Sequence, residues 1–372
     1  MSGAAPLKLL MTADAVGGVW QYALDLAAAL GPHGVQTTLA VLGPSPSPAQ
    51  RAEAKRVKRL TLVDTRLPLD WLCDAPEPVL AAGEAIAALA GKLGADIVQL
   101  NMPTLGARAK FDVPVLAVTH GCVATWWSAA FGGDLAPQYR WHRLLMDEGL
   151  HAADLVVAPS AAYAATVARH YALAETPRAI HNGRPPLLPA PGPAMPQEDF
   201  ALTAGRLWDR VKGIRTLDRA AAALSVSFHA AGAVRGPHGE TIALEHLHAL
   251  GHLSSAALAL RLAARPVFVS AAGFEPFGLA VLEAAHAGCP LVLSDIDTFR
   301  ELWDDAALFV APDDAAGYAA GVETILADPA LRHRLGSAAR SRAARYTPEA
   351  KAAAMATLFT DLAAKAPAKR AA

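Results

Sequence analysis

Two glutamates eight residues apart, Glu275 and Glu283 in GFEPFGLAVLE (Gly273 to Glu283), form the densest chemical signal in the chain. The segment follows an apolar strand, Val267–Ser270, and its composition turns helical at about Gly278. Glu275 then lies in the loop before the helix and Glu283 in its second turn. A helix start offers unpaired N–H groups and a positive dipole end. Gly278 lets the backbone approach a ligand closely, so the loop suits an anion or sugar hydroxyls. The alternative is plain: a capping Glu275 and an ordinary helix carboxylate at Glu283.

A second signal is AGRLWDRVKGI, Ala204 to Ile214, after the strand Phe200–Thr203. Arg206 and Lys212 are six residues apart across a turn. An arginine fork and a lysine point charge at the carboxyl end of a strand suit a diphosphate, or else are solvated surface charges. A third is DAVGGVWQY, Asp14 to Tyr22, where Gly17 and Gly18 join a strand end to a helix start. It lacks the GxGxxG dinucleotide fingerprint. A fourth is VTHG, where a strand end delivers His120. His246, His248 and His252 are close in sequence, and only His248 and His252 would share a helical face. With no carboxylate to complete a site, no metal is expected.

The elements that position these residues are short strands followed by helices. Leu7–Met11, Val35–Leu42, Ile97–Leu100, Val115–Thr119 and Leu155–Ala158 are continuous apolar runs, which suits parallel strands buried on both faces. Val19–Leu30 has helical spacing. Proline is too dense for helix or central strand across Gly183 to Asp199. The alternation then restarts with Phe200–Thr203, Val226–Ala230, Val267–Ser270, Leu291–Leu293 and Leu308–Val310. The domains expected are 1–185, a Pro-rich linker 186–198, a second domain 199–346, a helix 347–365 crossing back to the first domain, and a tail 366–372. The fold class is α/β, with two doubly wound domains facing a central cleft.

Composition excludes several classes. Apolar residues make up 53% and charged residues 18% of 372, too apolar for a disordered chain. Acidic and basic residues nearly cancel, at net −1, so no global field exists to hold a nucleic acid. Apolar runs are cut too soon for a membrane span, and the N-terminal run is too short for a signal peptide. Cys73, Cys122 and Cys289 form no CxxC pair, which points to a reducing, cytoplasmic compartment.

Together these residues resemble a retaining glycosyltransferase of family 4 with the GT-B fold. GFEPFGLAVLE is similar to the family's E-x7-E element and GRLWDRVKG to its GRL…KG element. GGVWQY resembles the N-terminal glycine loop. His181–Gly183 (HNG) resembles the family's PNG, and SDIDTFREL, with Glu301, resembles the segment after the E-x7-E helix. The chain departs from the family in His181 for proline and in lacking Pro-Ser after the strand Val267–Ser270. The resemblance implies a nucleotide-diphosphate-sugar donor, a hydroxyl acceptor on a glycan, glycolipid or small molecule, and no cofactor. It implies that Arg206 and Lys212 hold the diphosphate, Glu275 the donor sugar and Glu283 the ribose. It places backbone groups of Phe277, Gly278, Leu279, Gly17 and Gly18 on sugar or phosphate, and His120 by the reacting carbon. Asp14, Trp20, Trp126 and Trp127 fall on the acceptor side, the tryptophans as stacking faces or as packing. Arg51, Lys55, Arg56, Lys58 and Arg59, in a run of helical composition, are a solvated face or a peripheral contact with anionic lipid at the inner membrane face. A GT-B phosphorylase, a nucleotide-sugar epimerase or a non-catalytic carbohydrate-binding protein are the competing functions.

Overall fold

A computed structural model describes residues 5–187 and 196–365. Most of the expected linker (188–195) and the tail 366–372 lie outside the described residues. The chain divides into two compact units, Met1–Gly183 with Pro348–Ala372, and Arg184–Thr347.

The first unit carries seven strands: β1 Leu7–Asp14, β2 Val35–Leu42, β3 Leu60–Asp64, β4 Ile97–Leu100, β5 Val115–Val118, β6 Leu155–Ala158 and β7 Arg178–Ala179. All pair in parallel, in the order β3-β2-β1-β4-β5-β6-β7. The pleat explains the apolar runs. Leu9, Met11 and Ala13 of β1 join one core with Leu26 and Leu30 of the helix Gly18–Leu30. Leu10 joins the opposite core, with Val98, Leu100 and Ile86 of the helix Glu77–Leu93. Both faces are covered, so alternation of apolar and polar residues has no physical cause here. The helix Pro348–Lys365 packs into the first of these cores through Ala352, Met355, Leu358 and Phe359. Burying the last three stabilises the unit by about 2 kcal/mol each.

The second unit repeats the plan with six strands: β8 Ala201–Ala204, β9 Phe228–Ala231, β10 His248–Gly251, β11 Val267–Ser270, β12 Leu291–Ser294 and β13 Ala307–Val310. Their order is β10-β9-β8-β11-β12-β13, again parallel. In each unit the chain leaves the first strand in opposite directions, so switch points lie between β1 and β4 and between β8 and β11. Ligands of such sheets bind beyond the carboxyl ends of the strands at a switch point.

Two local expectations are corrected. The basic run 51–60 is not one helix. The helix Pro48–Ala54 ends before Lys55, Arg59 takes φ 60°, and β3 begins at Leu60. Ser47, reciprocated by Gln50, caps its start, and no glycine marks its stop. His248 and His252 share no helical face, because His248 opens a strand. Among the described residues no group of three His, Cys, Asp or Glu side chains could hold a metal, and no helix is long and apolar enough to cross a membrane.

Candidate active site

In the second unit the site begins where β8 ends. Arg206 donates to Asp209 Oδ2 at 2.9 Å, and Asp209 Oδ1 accepts from Val211 N at 3.3 Å. One buried carboxylate therefore orients the arginine and caps the short turn Arg210–Lys212 that carries the lysine. Sequence reasoning missed Asp209, although a carboxylate three residues before Lys212 is the signal of such a cap. Gly213 follows with φ 65°, and a Cβ there would collide with the carbonyl oxygen of Ala271. Only glycine lets this turn lie against the exit of β11. The backbone closes the same contact, with Gly273 N donating to Val211 O at 2.8 Å.

Those contacts bring the two sequence signals together. Lys212 Nζ donates to Glu275 Oε2 at 2.6 Å, with both side chains about four-fifths buried. Gly278 takes φ 92° ahead of the helix Leu279–Ala287, and a Cβ there would lie 3.0 Å from Phe299. Phe277 turns its ring into the core against Tyr346. Glu283 is 6% exposed and accepts from Arg184 Nη1. Arg184 is further held by its backbone N–H, which donates to Tyr346 O at 3.3 Å, and by its backbone carbonyl, which accepts from the His286 imidazole. Arg184 was not singled out in the sequence, because its partner is remote and nothing local marks it.

In the first unit the site lies at the ends of β1, β4 and β5. Asp14 Oδ1 accepts from Val16 N at 2.8 Å and Gly17 N at 2.9 Å. Asp14 therefore shapes the glycine loop, and the Gly17 N–H is engaged within the protein. Gly18 opens the helix with a first-turn N–H group. Trp20 is corrected: it is 4% exposed, part of the core, with its indole donating to Glu53 at 3.1 Å. It presents no stacking face. Trp126 and Trp127 are half-buried in an aromatic group with Phe131, Trp127 lying 4.4 Å from it, ring centre to ring centre.

His120 sits at the centre of a buried polar set that sequence reasoning did not assemble. Asn101 Nδ2 donates to Thr12 O at 2.7 Å, which makes its Oδ1 the acceptor. That oxygen meets Gln99 Nε2 and His120 Nε2, each at 3.0 Å. His120 must therefore carry its proton on Nε2, leaving the Nδ1 lone pair to accept. The Tyr22 ring stands edge-on to the imidazole at 4.4 Å. Burial, followed by the nearby Lys351 charge, pulls the imidazole down to about 3. It is neutral at physiological pH. The amides at Gln99 and Asn101 in IVQLN were the signal: two amides, two apart, on one face of an otherwise apolar strand end.

A family model described as Glycosyltransferase Family 4 matches residues 16–186, and one described as Glycosyl transferases group 1 matches residues 195–342. The chain belongs to glycosyltransferase family 4. This family-4 chain is 42% identical to glycogen synthase of Mycobacterium tuberculosis over 95 residues, 25% of the chain and 23% of that protein. It is 38% identical to phosphatidyl-myo-inositol mannosyltransferase of Mycolicibacterium smegmatis over 104 residues, 27% of each. The match thus spans about a quarter of the length of these curated relatives. Likeness of fold extends over nearly the whole chain. A sucrose-phosphate synthase from Thermosynechococcus elongatus superposes with TM-score 0.79 at 23% identity, covering 96% of this chain and 99% of that one. Anabaena HepE, solved in complex with UDP and glucose, superposes with TM-score 0.72 at 18% identity, covering 96% and 100%. The two Rossmann-like units are those of a GT-B fold.

Proposed function

We propose that the protein is a retaining glycosyltransferase that moves a sugar from a nucleotide-diphosphate-sugar donor to a hydroxyl acceptor, a glycan or a lipid-linked sugar. The observation that carries the reading is the Lys212–Glu275 pair, set beside Arg206 at the switch point of the second sheet. Lys212 has three donors, so its ammonium can stay on Glu275 and reach a phosphate oxygen as well. Glu275 then faces the donor sugar attached to that phosphate. In the transfer the bond from the anomeric carbon to the diphosphate oxygen breaks. The bond to the acceptor oxygen forms on the same face, and the acceptor proton passes to the departing diphosphate. Negative charge grows on the diphosphate in the transition state, where Arg206, Lys212 and the helix start at Leu279 lower its energy. His120 Nδ1, unprotonated, accepts a hydrogen bond from a donor-sugar hydroxyl. Of the five cations of the anionic-lipid contact in this reading, Lys55, Arg56, Lys58 and Arg59 are exposed, and Arg51 is paired with Asp64. Failure to float with anionic liposomes at low salt removes that part.

The test is a thermal-shift screen against UDP-, GDP- and ADP-glucose, followed by turnover of the stabilising donor. A bound donor at about 100 times Kd stabilises by about 2.7 kcal/mol. Lys212→Ala should lower turnover by about 100-fold or more with the fold intact. A variant that turns over the donor at the wild-type rate overturns the assignment. Turnover that requires inorganic phosphate would make the protein a phosphorylase.

A further inference from the structure

Lys351 comes from the helix Pro348–Lys365, more than 200 residues from any residue of the first sheet's switch point, and is 2% exposed. Its Nζ donates to Tyr22 O at 3.2 Å and lies 4.2 Å from the centre of the Tyr22 ring. The same ring meets His120 edge-on at 4.4 Å, and the Tyr22 hydroxyl accepts from Gln99 Nε2 at 3.4 Å. Gln99 in turn shares Asn101 Oδ1 with His120. The contacts close a loop: Lys351 to Tyr22, Tyr22 to His120 and to Gln99, and both of those to Asn101. Around the ammonium, the helix Gly18–Leu30 contributes Asp25 as the opposing charge and the Tyr22 ring. The end of β5 contributes His120, and β4 contributes only the neutral amides beyond it.

A buried ammonium is costly, and an apolar side chain of equal length would fill the same space with no charge to desolvate. What the amine adds is a fixed carbonyl, a cation held on the ring face, and a positive charge beside the imidazole. We propose that Lys351 is a positioning residue for His120: it clamps Tyr22 against the imidazole and keeps that ring seated on Asn101 as the uncharged Nε2–H form. The proposal rests on the reading of His120 as a site residue. In that reading only a bare Nδ1 can accept from a sugar hydroxyl, and a second proton would turn acceptor into donor. The nearby cation opposes that second proton, and the Tyr22 ring prevents the rotation that would exchange the two nitrogens.

The test is side-chain NMR of the full chain labelled with 15N at histidine, followed from pH 8 to about pH 4, the foot of the ordinary imidazole range. The wild-type imidazole should show protonated Nε2 and bare Nδ1 throughout. A wild-type midpoint in the ordinary imidazole range, or an Nδ1–H form, overturns the proposal without any variant. In Lys351→Met the His120 imidazole should be about half protonated at pH 4, where the wild type holds about a tenth, a rise of about one unit in its midpoint, as expected when a like charge is removed at close range. Lys351→Gln keeps a donor for Tyr22 O, should give the same rise, and serves if the methionine variant does not fold. A folded variant with the wild-type fraction of protonated His120 at pH 4 removes Lys351 from the role. Failure of the site reading is seen separately: His120→Ala turning over UDP-glucose like wild type would remove His120 from the site while the NMR shift stands. If both hold, Lys351→Met lowers kcat about tenfold and leaves KM for UDP-glucose within about twofold.

Discussion

Lys212 and Glu275 are 63 residues apart in the chain and 2.6 Å apart in space. Each supplies what the other lacks. The lysine neutralises a carboxylate beside the site, and the carboxylate aims a flexible cation. Exposure of about one fifth on both sides limits the pair's worth to about 1 kcal/mol, so its value lies in placement rather than in stability. The pair of Arg184 with Glu283 differs, with side chains only 13% and 7% exposed. Removing one member leaves a buried charge without its partner. Arg184→Ala should therefore cost about 3 kcal/mol in urea unfolding. Adding Glu283→Gln should recover much of that loss. Simple additivity of the two changes would show that the pair carries no coupling.

At the scale of elements, both candidate sites are built on strand exits. A turn after β8 and a loop after β11 are laced together by Val211 O and Gly273 N, and Gly213 permits their approach. Gly213→Ala meets two penalties at once, a positive φ and a backbone oxygen in the way of the new Cβ. It should destabilise the unit by about 2 kcal/mol or more and displace Lys212. Donor affinity should fall along with the melting temperature. An unchanged melting temperature would contradict the close approach. In the first unit the elements act differently. There the strand end of β4 supplies amides that fix the proton on His120, and the helix start supplies the glycine loop.

At the scale of the whole chain, the last helix returns to the unit in which the chain began and brings Lys351 with it. Burial pulls this amine down to about 7, against an ordinary value of 10.5, with Asp25 pushing it back up. The sign follows from proton counts. Between pH 7 and 10.5 the unfolded chain holds a proton at Lys351 that the folded chain has lost, so stability rises with pH across that window. Below pH 7 the folded state carries the full cost of the buried charge. Lys351→Met has no such cost. Its unfolding free energy relative to wild type should be most favourable at pH 6 and decline steadily towards pH 10. A difference independent of pH would mean that the amine titrates normally.

The amino-acid sequence by itself determined the repeated strand–helix plan, the proline-dense break across Gly183 to Asp199, and the order of the Arg206, Lys212, Glu275 and Glu283 elements. These are local properties, set by apolar runs, proline density and glycine at strand exits. It could mark His120 as placed at a strand end but could not say which nitrogen holds the proton. That depends on Asn101 and Thr12, which meet His120 only when β1, β4 and β5 lie side by side. The sequence offered Trp20 as an acceptor-side aromatic, and packing against the first core made it a structural residue. It likewise gave the run 51–60 helical composition, whereas pairing of β3 with β2 drew its end into a sheet. Lys351 and Arg184 were silent for the same reason. A charge acquires its role from what it is buried against, and burial is decided by the tertiary fold.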